Sequence, residues 1–238
     1  MKLNGKEKFS YGLGAVGKDM VYMLSASYVL YYYQDILGVS AVAMGVILLV
    51  ARIFDAFNDP FMGVIVEKTK TRWGKFRPWL MIGTLLNAVI LFLMFAAPPA
   101  LSGSGLVAYA AVFYILWGVT YTMMDIPFWS MIPAFTESGK ERENLTTLAR
   151  SCAGVGSALI TVITMIAVPA LGKLFLGNTE AAREVERCGF QWFALIIAVL
   201  FVIMIGITCL NIKEKSTVDL NAPSVSRCSG HLYPTIRQ

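Results

Sequence analysis

Long apolar stretches separated by short polar connections fill the chain from about residue 9 to residue 211. Six of them reach the roughly 20 residues that a helix needs to cross a bilayer. They fall at 9–34, 41–66, 78–98, 106–132, 147–175 and 190–211. The pattern predicts an all-α membrane protein, with a six-helix transmembrane bundle over residues 1–215. Residues 216–238 are polar, include Pro223 and Pro234 and hold no further span, so they are expected to form a cytoplasmic tail.

The charges between the stretches orient the bundle. Lys68 to Arg77 carries five bases, Lys140 and Arg142 lie between the fourth and fifth spans, and Lys213 and Lys215 follow the sixth. The turns on the other side, near 34–40 and 98–105, are almost uncharged. The positive-inside rule therefore places both termini in the cytoplasm, and the protein is expected in the plasma (inner) membrane. A short basic arm precedes the first span, and no cleavable signal peptide is evident.

Composition agrees. Of 238 residues, 57% are hydrophobic and only 15% charged, against about 25% charged in soluble domains. The net charge of +5 follows from the membrane topology and implies no nucleic acid. Cys152, Cys188, Cys209 and Cys228 form no CxxC pair and read as small hydrophobes. His231 is the only histidine, which argues against a histidine proton relay or a histidine metal site. The chain has no nucleotide-binding P-loop, zinc motif or nucleophile elbow, so an enzyme and a bound cofactor are not expected.

Six ionisable residues fall well inside spans, away from their ends: Lys18, Asp19, Arg52, Asp55, Asp59 and Asp125. At about 3 kcal/mol each, exposing them to lipid would cost on the order of 15 kcal/mol. They must face one another or water. Four acids against two bases suit a site that takes up a cation. Asp55 and Asp59 are four residues apart, on one helical face, with Asn58 beside them. Pro60 has no N–H, so the Ala56 carbonyl loses its usual helical donor and becomes a candidate oxygen ligand. Pro127 does the same for Met123. A packing kink is the alternative reading of both prolines.

Tyr121, Thr122, Asp125 and Trp129 form a second group in the fourth span. A carboxylate accepts hydroxyl hydrogen bonds, and a flat ring packs on the C–H face of a pyranose. Lys18, Asp19 and Arg150 can add donors and acceptors to the same cavity; Arg150 also reads as a cytoplasmic anchor. The first and fourth spans share a plan, each with a mid-span aspartate near aromatics, as in a three-plus-three inverted repeat. Gly12, Gly14, Gly17, Gly154 and Gly156 allow close helix contact.

Four segments resemble the melibiose permease group of the glycoside–pentoside–hexuronide cation symporters. They are Ser10-Tyr-Gly-Leu-Gly-Ala-Val-Gly-Lys-Asp19, Ala51-Arg-Ile-Phe-Asp-Ala-Phe-Asn-Asp-Pro60, Arg72-Trp-Gly-Lys-Phe-Arg-Pro78 and Ile115-Leu-Trp-Gly-Val-Thr-Tyr-Thr-Met-Met-Asp-Ile-Pro-Phe-Trp129. The resemblance implies a major-facilitator-type fold and symport of an α-galactoside, such as melibiose, with Na+, Li+ or H+. It also implies a cation site at Asp55, Asn58, Asp59 and Thr122. The sugar site it implies comprises Lys18, Asp19, Tyr121, Asp125, Trp129 and Arg150. Arg72, Lys75 and Arg77 would belong to a cytoplasmic gate.

The resemblance covers an N-terminal half, because such carriers have about twelve spans in two halves. The second half would supply the other cavity wall and a lysine near the cation site. The polar tail is accordingly expected to be a truncated or frameshifted ending. Three alternatives stay open from sequence: an inactive fragment, a half-transporter that needs a partner half or self-association, and a proton-coupled efflux carrier.

Overall fold

The computed structural model describes residues 4–136, 139–177 and 181–212. Six long helices follow one another: α1 Gly5–Tyr31, α2 Ala41–Lys68, α3 Arg77–Phe95, α4 Gly103–Phe135, α5 Gly139–Leu176 and α6 Ala182–Asn211. The polar tail expected at 216–238 lies outside the described residues. Among the described residues, extended structure is limited to one isolated bridge, Thr71 to Gly74.

Local chemistry sets the helix starts. The Asn4 N–H donates to Glu7 Oε2 at 2.8 Å at the head of α1. Ser40 caps α2, its Oγ accepting from the Ala43 N–H at 3.2 Å. Pro78 opens α3, where a missing N–H costs nothing. The helices outrun the apolar stretches. α5 begins at Gly139 rather than 147, and α6 at Ala182 rather than 190. Apolarity marks the depth of the lipid, while the polar turns that precede it are helical as well.

Five of the six helices, α2 to α6, are long and apolar enough to cross a membrane. This differs from the six spans expected. α1 has the length, at 27 residues, but Lys18 and Asp19, with its glycines, serines and tyrosines, dilute its apolar character.

α1 lies at the centre. It packs on α5 and α6, α3 packs between α4 and α6, and α2 leans mainly on α4. At its far end α1 widens into a π-helical turn, Tyr32–Ile36. That turn sets two successive buried tyrosines against the end of α3. Tyr32 OH donates to the Phe95 carbonyl at 2.6 Å, and Tyr33 OH to the Met94 carbonyl at 2.8 Å.

Small residues let the helices cross closely. A Cβ built on Gly172 would meet the Val185 backbone, and one on Gly189 the Val168 backbone, so α5 and α6 touch main chain to main chain. Gly156 on α5 meets Val16 of α1 in the same way. Gly14 and Gly17 receive Thr208 and Met204 of α6, whereas Gly154 faces open space.

Candidate functional site

α4 carries two neighbouring constellations. Residues four apart stack on one helical face, so Trp117, Tyr121, Asp125 and Trp129 form a row. α1 lies against that row at Lys18. The lysine side chain is 4% exposed. Its Nζ donates to Asp125 Oδ1 at 2.7 Å and to Tyr121 OH at 3.0 Å. Asp19 Oδ1 lies 3.2 Å from the same nitrogen. The Trp129 indole N–H donates to Asp125 Oδ1 at 3.1 Å. α5 closes the third side. Ser157 Oγ donates to Asp19 Oδ2 at 3.2 Å, and the Arg150 guanidinium sits 4.0 Å from the Trp129 ring centroid.

The structure thus brings together all six residues expected to bind sugar: Lys18, Asp19, Tyr121, Asp125, Trp129 and Arg150. Lys18 pairs with both carboxylates and Arg150 lies over Trp129, so the formal charges of the cluster sum to zero. A buried ammonium needs such pairing to offset its desolvation. Lys18 is almost fully enclosed, while the side chains of Asp19 and Asp125 remain 22% and 31% exposed. The arrangement leaves carboxylate oxygens and the indole ring of Trp129 partly accessible.

The second constellation lies between α2 and α4. Thr122, next to Tyr121 in sequence, donates from Oγ1 to Asp59 Oδ1 at 3.0 Å. Asp55 lies against the α4 backbone, where a Cβ on Gly118 would come within 2.9 Å of its Oδ1. Arg52 Nη1 is 3.8 Å from Asp55 Oδ2, and the arginine side chain is 62% exposed, so this pairing is loose. The Asn58 amide nitrogen is buried without a hydrogen-bond partner. Asp55, Asp59, Asn58 and Thr122 supply hard oxygen donors, the type that alkali and alkaline-earth cations prefer. Among the described residues no group of three or more His, Cys, Asp or Glu could hold a metal ion. The two carboxylates here are thus a small anionic set. Pro60 and Pro127 both lie inside unbroken helices.

The basic loop residues are placed differently. Arg72 is exposed, Lys75 lies over the Phe76 ring at 5.2 Å, and Arg77 donates to the Cys209 carbonyl of α6. Arg77 therefore ties the loop between α2 and α3 to the end of α6.

Sequence reasoning missed several members. Ser157 carries no signal, being one serine in an apolar helix. Trp117 was available from its spacing of four before Tyr121. Its ring stacks on Tyr121 at 5.3 Å and on Tyr114 at 5.9 Å, and Tyr22 lies 5.4 Å from Tyr121. Gly118 marks where Asp55 approaches α4, a role no sequence pattern announces.

Comparison with known proteins follows the same lines. The MFS/sugar transport protein family matches residues 10–238. The chain is 35% identical over 209 residues to the isoprimeverose transporter of Lactiplantibacillus pentosus, covering 88% of this chain and 42% of that protein. It is 32% identical over 213 residues to the inner membrane symporter YicJ of Escherichia coli (strain K12), covering 90% and 44%. It is 33% identical over 207 residues to the raffinose carrier protein of Pediococcus pentosaceus, covering 81% and 31%. The chain spans less than half the length of these curated relatives, which are transporters and not enzymes. With its helical membrane architecture and the motifs on α1, α2 and α4, the chain belongs to the MFS/sugar transport protein family, among relatives of the glycoside–pentoside–hexuronide symporter type.

Proposed function

We propose that this chain is the six-span N-terminal half of a carrier that moves a galactoside, such as melibiose, together with Na+, Li+ or H+. In this reading both termini face the cytoplasm, the protein sits in the plasma (inner) membrane, and α1 crosses the bilayer despite its charges. Lys18, Asp19, Tyr121, Asp125, Trp129 and Arg150 bind the sugar. Asp55, Asn58, Asp59 and Thr122 bind the cation. Arg72, Lys75 and Arg77 belong to the cytoplasmic gate.

One observation carries the reading: adjacent residues of α4 belong to the two constellations. Tyr121 accepts from Lys18 while Thr122 donates to Asp59. A cation that draws Asp59 and Thr122 together fixes the same turn of α4 that presents Tyr121 and Asp125. Cation binding then raises sugar affinity, and sugar binding raises cation affinity by the same factor. Rocking against a second half would carry both across. The relatives named for isoprimeverose and raffinose favour a glycoside over a cationic drug, as does the aspartate–indole pair.

The chain spans 42% and 44% of two of its relatives, so on its own it is proposed to be transport-inactive until joined by a second half. Self-association into a working carrier is the competing outcome. The test is radiolabelled galactoside uptake in permease-deficient cells. One strain expresses this chain, and another expresses it fused to the second half of a relative. Sodium-stimulated uptake by the fusion supports the reading. Uptake that ignores galactoside competitors but follows a cationic drug would replace it with efflux.

A further inference from the structure

The turn between α2 and α3 presents bases and an indole on one rigid unit. Thr71 Oγ1 donates to the Gly74 carbonyl at 2.6 Å, and the Trp73 N–H donates to Thr71 Oγ1 at 3.3 Å. Gly74 has φ of 106°, a region that suits glycine and lets the turn close. Both flanks are anchored. The Trp79 indole N–H donates to Thr69 Oγ1 at 2.8 Å, and Arg77 reaches the Cys209 carbonyl.

On this unit Trp73 is 73% exposed. Lys68, Lys70 and Arg72 are exposed beside it, and Glu67 is the acid of the segment. An indole held out by a hydrogen-bonded turn is not one left over from a poor core.

Helix length gives the depth. α3 starts at Arg77 and has 19 residues. At 1.5 Å per residue it is about 29 Å long, close to the hydrocarbon thickness of a bilayer. Centred in a bilayer, α3 would set its first turn at the hydrocarbon boundary and Trp73, four residues earlier, at headgroup level. Tryptophan favours that level, where the ring is accommodated and its N–H finds acceptors. Bases next to a span attract anionic lipid.

We propose that the 68–73 turn docks the headgroups of anionic phospholipids. Lys68, Lys70 and Arg72 take the phosphates, and Trp73 wedges between neighbouring headgroups. That this leaflet is the cytoplasmic one rests on the orientation proposed above; the lipid contact itself does not.

The test uses the full chain in nanodiscs, where both faces meet lipid whatever the orientation in cells. Brominated phosphatidylglycerol and brominated phosphatidylcholine are compared as quenchers of tryptophan emission, and the Trp73 share is the difference between the protein and Trp73→Phe. Stronger quenching by phosphatidylglycerol, reduced by salt, is expected. Each of Lys68→Gln and Lys70→Gln should lower the preference for the anionic lipid about fivefold. Equal quenching by the two lipids would overturn the proposal, as would a preference that the double lysine variant leaves undiminished. Neither result bears on glycoside transport, which the uptake experiment decides separately.

Discussion

Lys18 of α1 donates to Asp125 of α4 across 2.7 Å, joining helices 107 residues apart in sequence. The pair is the centre of a polar cluster inside an otherwise apolar bundle. Removing Lys18 leaves Asp125 without its cation but 31% exposed, so the cost falls below the roughly 3–5 kcal/mol of a fully buried pair. Lys18→Met should therefore lower the thermal unfolding temperature. Lys18→Met combined with Asp125→Asn should recover part of the loss. A double variant less stable than both singles would show that the pair is not the coupling element.

Trp129 both donates to Asp125 and lies under Arg150. Trp129→Phe keeps a flat ring but loses the N–H. In the fused carrier it should weaken galactoside binding moderately, about tenfold for one hydrogen bond to a charged group. Trp129→Ala should weaken it further. Equilibrium binding with a labelled galactoside checks the order, and equal loss in both variants would point to the hydrogen bond alone.

Asp59 accepts from Thr122 at 3.0 Å. Asp59→Cys should abolish sodium stimulation of galactoside binding while leaving sodium-independent binding measurable. Thr122→Ala should reduce the stimulation without abolishing it, since one neutral ligand is lost and both carboxylates remain. Binding titrations at several sodium concentrations separate the two. Unchanged stimulation in Asp59→Cys would remove this residue from the cation site.

The α5–α6 crossing is as demanding as the polar cluster. A Cβ on Gly189 would come within 2.8 Å of the Val168 carbonyl carbon, which is backbone and cannot swing aside. Gly189→Ala should destabilise by about 1–3 kcal/mol, the usual cost of overpacking. Gly154 has nothing within 4 Å of its added Cβ. Gly154→Ala should be neutral or stabilise by up to about 1 kcal/mol through helix propensity. Thermal unfolding of the two variants side by side tests the contrast.

The polar cluster was legible because charge in a membrane span is conspicuous. Lys18, Asp19 and Asp125 announce themselves against an apolar background, and spacing of four adds Tyr121 and Trp129 to the row. At α1 the apolar pattern overreached: the stretch at 9–34 reads as a sixth span, yet its charges and polar residues keep α1 out of the helices long and apolar enough to cross a membrane. Ser157 and Gly118 were invisible for the opposite reason. Each is ordinary in its own helix and acquires meaning only from what the fold sets opposite, Asp19 in one case and Asp55 in the other. The starts of α5 and α6 were placed late because hydropathy reports lipid, and their first turns are polar.

The most direct test of the account is sodium dependence of radiolabelled galactoside uptake by the fused carrier, wild type against Asp59→Cys. The account predicts sodium-stimulated accumulation in the first and its loss in the second, with both proteins present in the membrane. Accumulation of equal size and equal sodium response in the two would contradict it.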